Sequence, residues 1–260
     1  MRELENALSL DGRTIIVTGA AQGIGEAITE LVLQLGGNVI ALDMNPERLE
    51  GLSASIGSDR LLTFAGNVVD PEISEQVVAQ GVARFGAING LVNNAGITRT
   101  AMIEKMTIEQ WQQVIDVHLT GAFQLLQSVG RHMIAIARDT GSVTGSIVNV
   151  SSDAGRRGTI GQANYGTAKA GVLGLSMSAA REWAKYGIRV NSIGFGVVET
   201  PMTETIRGDK FKDNYLSQIP LGRFGKPIEV AWPVCFLLSD ASSYMTGQHL
   251  WANGGWTIGV

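Results

Sequence analysis

Short apolar runs rich in β-branched residues alternate along this chain with longer stretches of helical spacing, and the alternation constrains the fold more than any other feature. The runs are TIIVTG (Thr14 to Gly19), NVIALD (Asn38 to Asp43), LLTFAG (Leu61 to Gly66), INGLVNNAG (Ile88 to Gly96), GSIVNVSS (Gly145 to Ser152), IRVNSIGFG (Ile188 to Gly196) and a last one near GQHLWANGG (Gly247 to Gly255). Most are apolar on both faces, as strands must be when helices cover a parallel sheet on two sides. The pattern predicts an α/β fold, a doubly wound Rossmann-type sheet of about seven parallel strands flanked by helices. The longest helical stretch runs from Glu109 to Ala137. ARDTGSVTGS (Ala137 to Ser146) reads as a polar loop. TETIRGDKFKDNYLSQ (Thr203 to Gln218) follows a strand's carboxyl end and reads as a helix-like flap over a site. No composition shift, repeat or low-complexity tract interrupts the sequence, so residues 1–260 are read as a single domain.

Charge and cysteine usage narrow the class further. The formal net charge is −4 without a long basic run, which argues against nucleic-acid binding. Only 17% of residues are charged, a sparseness that a large oligomer interface would explain. The lone Cys235 cannot form an intrachain disulfide, as in a reducing compartment. The N-terminus MRELENALSLDGRTIIV lacks the apolar run and cleavage site of a signal peptide. No apolar stretch reaches the ~18 residues of a membrane span, so a soluble cytoplasmic protein is expected. His118, His132 and His249 lack metal-ligand spacing, and Ser152 has no His/Asp arrangement for a hydrolase triad.

The turn after the first run, VTGAAQGIGEA (Val17 to Ala27), opens a helix. Gly19, Gly23 and Gly25 allow a tight turn, approach of backbone to a pyrophosphate, and close helix–strand contact. Alone, such a turn could be mere punctuation, and its spacing differs from G-x-G-x-x-G. Asp43 ends the second run 18 residues after Gly25. A carboxylate there can accept bonds from an adenosine ribose and would repel a 2′-phosphate. Gln22 leaves no basic side chain beside the turn. The cofactor expected is therefore NAD(H), preferred over NADP(H). The plain alternative for Asp43 is a solvated strand-end acid.

QANYGTAKAG (Gln162 to Gly171) places Tyr165 and Lys169 one helical turn apart, among small residues. A phenol with pKa about 10 exchanges protons poorly at neutral pH, and a nearby ammonium favours its ionised form. A bare Y-x-x-x-K is common by chance. Here Ser152 ends a strand 13 residues earlier, and LVNNAG ends another.

With these motifs in this order, from TIIVTGAAQGIG to TGQHLWANGG, the chain resembles the short-chain dehydrogenase/reductase family over nearly its whole length. It is most similar to the single-domain branch that includes the 3-oxoacyl-thioester reductases. The resemblance implies one dinucleotide-binding catalytic domain that interconverts a ketone and a secondary alcohol by hydride transfer. Tyr165 would transfer the proton, Lys169 would lower the Tyr pKa and bond the nicotinamide ribose, and Ser152 would bond the substrate oxygen. Asn93, Ala95 and Gly96 match the family's N-N-A-G along the cofactor, and Ile24 a turn residue beside it. Val198 and Thr200 match positions that meet the carboxamide and phosphates, and Val68 would lie beside the adenine. A homotetramer is implied, with long helices pairing across one interface and the C-terminal strand region forming another. An acyl-carrier partner would call for a basic patch, to which Arg156, Arg157, Arg181 and Lys185 could contribute.

Four positions depart from the family pattern. His118 stands where an Asn is usual in the long helix; it is either a tolerated, hydrogen-bonded substitute or a member of a proton relay. Asn67 replaces an Asp near the adenine and can still accept and donate. Phe195-Gly196 replaces a P-G turn, and Asn253 replaces the Asp of a late D-G-G. Met202, Phe211, Tyr215 and Trp256 are further candidates to line a pocket. A rival from another class is a non-catalytic NAD-binding sensor or scaffold, which would not need Ser152, Tyr165 and Lys169 together.

Overall fold

Strands that are apolar on both faces cannot tolerate water on either, and the chain solves this by layering helices above and below one sheet. The computed structural model of the protein describes residues 7–259, so the N-terminal stretch read for a leader lies partly outside the described residues. In order, the elements are β1 (Thr14–Thr18), α1 (Gly23–Gln34), β2 (Asn38–Asp43), α2 (Pro46–Ile56), β3 (Leu61–Ala65), α3 (Pro71–Phe85), β4 (Gly90–Asn93), α4 (Ile108–Ile115) and α5 (Gly121–Thr140). There follow β5 (Gly145–Ser152), α6 (Ala154–Arg157), α7 (Ala163–Trp183), β6 (Ile188–Phe195), α8 (Glu204–Arg207), α9 (Lys212–Leu216), α10 (Pro227–Leu238) and β7 (His249–Ala252). The seven strands form one parallel sheet in the order β3-β2-β1-β4-β5-β6-β7.

Alternation along a strand sends neighbouring side chains to opposite layers. Ile15 and Val17 of β1 face a core shared with α1, α2 and α10, through Ile28, Leu31, Leu49, Val234 and Leu237. Ile16, between them, faces the other core with Val77 of α3, Leu125, Val129 and Met133 of α5, and Ala180 of α7. Each such aliphatic side chain, fully buried, contributes roughly 1.5–3 kcal/mol.

The strand order reverses between β1 and β4. Their following connections part to opposite faces there, which opens a crevice beyond the carboxyl ends. Local signals place the helices around it. Asn45 and Asp70 cap α2 and α3, each just ahead of a proline, and Thr107 and Gln110 form a reciprocal capping box on α4.

Two departures from the sequence reading concern the long helix. It is not uniform: α4 passes into a π-helical turn, Asp116–Thr120, before α5 begins. It also runs on to Thr140, beyond the expected loop start at Ala137, and stops at Gly141, whose φ of 90° suits glycine. The stretch Thr203 to Gln218, read as a flap, begins at the end of a 3-10 turn, Pro201–Thr203, and holds the short helices α8 and α9. Among the described residues no helix is long and apolar enough to cross a membrane, and no cluster of potential metal ligands occurs.

Candidate active site

The crevice is a cleft of about 300 Å³, lined on one side by the glycine turn and on the other by Ser152, Tyr165 and Lys169. Gly19, Gln22, Gly23 and Ile24 face into it. Gly23 begins α1 with φ +59°, and Gln22 makes no side-chain capping bond. The first N–H groups of this 12-residue helix are thereby left to meet an anion at the cleft. Gly25 is not part of the lining. A Cβ there would stand 2.0 Å from the carbonyl oxygen of Gly19, so the residue lets helix and turn touch rather than contacting a ligand.

Asp43 reaches the cleft from the end of β2, and its carboxylate is already fixed by the backbone. Oδ2 accepts from the Ala21 N–H at 3.1 Å and Oδ1 from the Asn45 N–H at 3.0 Å. The acid thus buttresses the glycine turn as well as facing the cleft. Asn67, Val68, Ala95, Gly96, Val198 and Thr200 line the same space.

Asn93 does not. It is buried behind the cleft, where Nδ2 donates to the Ala122 carbonyl at 3.0 Å and to Asn149 Oδ1 at 2.8 Å, tying β4 to α5 and β5. The next residue, Asn94, takes the lining position, and its Nδ2 donates to the Thr18 and Gly19 carbonyls at 3.0 and 3.3 Å. Thr18 completes the joint: its Oγ1 accepts from the N–H groups of Asn94 at 3.0 Å and Ala95 at 2.9 Å. Sequence reasoning passed over Thr18 and Asn94, although a hydroxyl and an amide beside a glycine turn are the groups that could pin it.

Ser152 ends β5, and its Oγ accepts from the Ala154 N–H at 3.3 Å. Tyr165 sits in the first turn of α7, and its side chain and that of Ser152 line the same cleft. Burial raises the Tyr165 pKa and the Ser152 contact opposes that rise. Lys169 lies one turn on and is 3% exposed; its Nζ donates to the Val150 carbonyl at 2.7 Å and stands 5.7 Å from the Tyr165 ring centre. Burial brings its pKa down to about 7. The phenol of this protein is therefore harder to ionise than a free one, opposite in direction to the effect expected of Lys169, because burial is the largest influence on it.

His118 lies in the π-helical turn, is buried, and packs edge-on against Tyr165 with ring centres 5.0 Å apart. Its Nε2 is 2.7 Å from the Ile97 carbonyl oxygen and 3.0 Å from the Ile97 nitrogen, while Nδ1 has no hydrogen-bond partner among the described residues. Burial, then the charge of Lys169, holds its pKa well below the usual imidazole value, so the ring is neutral at pH 7. A Cβ at Gly96 would come within 2.3 Å of the imidazole, so the bulk at 118 depends on glycine at 96.

Of the other pocket candidates, Met202 lines the cleft, whereas Phe211, Tyr215 and Trp256 lie outside its lining. Tyr215 and Trp256 pack against each other instead, ring centres 5.6 Å apart. The basic residues do not gather into one patch. Arg156 and Arg157 form the end of α6, but Arg181 is in the last turn of α7 and Lys185 beyond it, about 24 Å along the helix axis from Tyr165.

These residues suit a dinucleotide: an uncapped helix N-terminus for the phosphates, an anchored carboxylate for a ribose, and a buried ammonium near the reacting end. Known proteins point the same way. Residues 19–257 match a family model described as enoyl-(acyl carrier protein) reductase. The chain is 45% identical over 253 residues to the 3-oxoacyl-(acyl-carrier-protein) reductase FabG of Thermotoga maritima, covering 96% of this chain and 100% of that one. It is 40% identical to FabG of Vibrio cholerae, covering 95% and 98%. Among solved structures, a short-chain dehydrogenase/reductase from Brucella melitensis, of glucose/ribitol dehydrogenase type, superposes with a TM-score of 0.90 at 34% identity, covering 96% and 99%. A putative NAD(P)-dependent gluconate 5-dehydrogenase from Beutenbergia cavernae, with bound NADP at low occupancy, gives 0.86 at 35%, covering 96% and 98%. Fold, cleft and kinship together place this chain in the short-chain dehydrogenase/reductase family, as a nicotinamide-dependent oxidoreductase acting on a CH–OH group.

Proposed function

We propose that the protein is an NAD(H)-dependent reductase of 3-oxoacyl thioesters, interconverting a ketone and a secondary alcohol. The observation that carries this reading is that Ser152 and Tyr165 line one cleft together with Lys169 and the glycine turn. When bound, the nicotinamide supplies the hydride for reduction and accepts it for oxidation. The protein's part is at the substrate oxygen. As a carbonyl is reduced, negative charge grows on that oxygen, and the two hydroxyls lining the cleft are the donors that would stabilise it. Ser152 holds the oxygen by hydrogen bonding. Tyr165 gives the proton, and its burial keeps that proton in place until the oxygen is basic enough to take it. Lys169, anchored on the Val150 carbonyl, is the cation that steadies the phenolate left behind. Neutral His118 supports the Tyr165 ring from the side.

The matched family model is described by enoyl reduction and the curated relatives by 3-oxo reduction, which are different chemistries. Hydroxyl donors at an oxygen suit both, and the relatives, 45% and 40% identical over nearly their whole length, support the 3-oxo reading. A second reading, oxidation of a secondary alcohol, runs the same site in reverse with NAD as acceptor; the Asp43 carboxylate favours NAD over NADP in both. The same reading takes the protein as a homotetramer; exposed Phe123 on α5 and Met177 on α7 supply apolar surface for helix pairing.

Two measurements test the proposal. Purified protein is assayed with 3-oxoacyl thioesters and simple ketones plus NADH or NADPH, and with secondary alcohols plus NAD+. Thioester reduction with NADH is expected. Turnover in the alcohol direction alone would transfer the case to the second reading, and tight NADH binding without any turnover would support a sensor. Separately, Asp43→Ala is expected to weaken NADH by about tenfold, the loss of one charge-assisted hydrogen bond, and to narrow its advantage over NADPH. Fluorescence titration with both cofactors reads this directly; an unchanged ratio of the two Kd values would show that Asp43 is not the selector.

A further inference from the structure

Asp153 follows Ser152 in the chain and is 1% exposed, a carboxylate buried one residue from the proposed oxygen-binding hydroxyl. Its Oδ1 accepts from Asn253 Nδ2 at 3.0 Å, while Oδ2 has no partner among the described residues. The donor comes from the turn after β7, 100 positions away in sequence. Asn253 is committed on both sides. Its Oδ1 accepts from the Gly255 N–H at 3.0 Å, and its Nδ2 also donates to the Thr257 carbonyl at 3.2 Å. An ionised aspartate at 253 could accept but not donate. With a carboxylate at 153, an amide at 253 is the complementary group.

The backbone around the pair binds it to Ser152. The Asp153 N–H donates to the Phe195 carbonyl at 3.3 Å, and the Asp153 carbonyl accepts from the N–H groups of Arg156 and Arg157 at 3.1 Å each. Ser152 Oγ accepts from Ala154 in the same turn. At Gly196 the chain passes so close to Asn253 that a Cβ would stand 3.0 Å from the Asn253 Cα. Two further ties run in parallel. Arg156 donates to the Gly259 carbonyl, and the Arg157 guanidinium lies 3.7 Å over the Trp256 ring. Trp256 in turn packs on Tyr215 of α9 and donates through Nε1 to Gln218 Oε1 at 3.4 Å. The C-terminal turn thus touches the flap on one side and the turn carrying Ser152 on the other.

We propose that Asp153 and Asn253 are a positioning pair for the Ser152 hydroxyl, through which the C-terminal turn sets the pose of that serine. This rests on the role given to Ser152 above. Neither residue lines the cleft; the pair acts by fixing the backbone that presents Oγ.

The test is a double-mutant cycle on the full chain, read as kcat for thioester reduction at saturating NADH together with the Kd of NADH. Asn253→Ala removes the donor and leaves the buried carboxylate bare. It is expected to lower kcat by about ten- to a hundredfold, the scale of an ångström-sized misplacement, with Kd within about twofold. Asp153→Asn keeps an acceptor facing Asn253 and is expected to stay within about threefold of the parent. Because the effect runs through Ser152, adding Asn253→Ala to Ser152→Ala should cost nothing more. Parental kcat in Asn253→Ala overturns the proposal, as does the same fold loss in the Ser152→Ala background. Ser152→Ala at parental kcat would instead remove the role of Ser152 itself, a separate failure. If Asn253→Ala does not fold, Asp153→Leu removes bond and charge together, and the same cycle with it carries the same expectations and the same overturning results.

Discussion

Replacing Tyr165 with phenylalanine lowers kcat by about two to four orders of magnitude and leaves NADH affinity within about threefold, if the phenolic proton is the one that reaches the substrate. The substitution removes one oxygen from a ring whose other contacts persist. The edge-on packing against His118, ring centres 5.0 Å apart, needs only the ring. Lys169 keeps its bond to Val150, and Ser152 keeps its bond from Ala154. The glycine turn and Asp43 lie across the cleft and are unaffected. A large fall in kcat with little change in cofactor Kd therefore isolates the proton transfer. Steady-state kinetics with a 3-oxoacyl thioester, paired with fluorescence titration of NADH, makes the check. A variant within tenfold of the parent would move the proton-transfer role away from Tyr165.

What the sequence made legible follows from periodicity. Strand residues apolar on both faces could only be covered by helices. Asn38–Asp43 and Gly145–Ser152 appear with the bounds expected from the apolar runs, since turn residues close each run. The reversal between β1 and β4 then puts Gly19, Asp43, Ser152 and Tyr165 around one crevice. What stayed hidden depends on contacts that no local spacing encodes. Gly25 and Asn93 look like ligand contacts in a motif, yet one faces the Gly19 carbonyl and the other Asn149 across the sheet. The π-helical turn at His118 leaves no mark in an apolar pattern that remains helical through it. The pairing of Asp153 with Asn253 needed two turns from distant parts of the chain to be brought together. The pKa values were hidden for the same reason: adjacency of Tyr165 and Lys169 is visible in sequence, but the burial that dominates both is not.

Lys169→Met separates the chemistry of the site from its stability, because activity needs the charge while stability depends on its titration. Activity falls by about two to three orders of magnitude, the scale for a group that stabilises charge developing in a reaction. Stability responds through proton linkage. The folded-state pKa of Lys169 is about 7, below its ordinary value of 10.5. Between those values the unfolded chain holds a proton that the folded protein has released, so the stability of the cofactor-free parent gains from rising pH across that window. Below about pH 7 both states hold the proton, and the full cost of burying an ammonium is present. Methionine fills similar space and has nothing to titrate, so the variant lacks the gain, which at its steepest is about 1.4 kcal/mol per pH unit. Cys235, pushed up to about 12 by burial, titrates in both proteins and cancels in the comparison. The variant leaves the Val150 carbonyl without its Nζ donor, a cost of about 1–3 kcal/mol that does not change with pH. The stability of variant relative to parent is therefore greatest near pH 6.5 and declines toward pH 9.5. Urea denaturation of both cofactor-free proteins at pH 6.5, 8 and 9.5 measures it. Equal pH slopes would show that Lys169 is not buried as a titrating group. A declining difference with lost turnover would mean that the fold keeps an ammonium where an apolar side chain is better tolerated, because the reaction needs a cation behind the phenol.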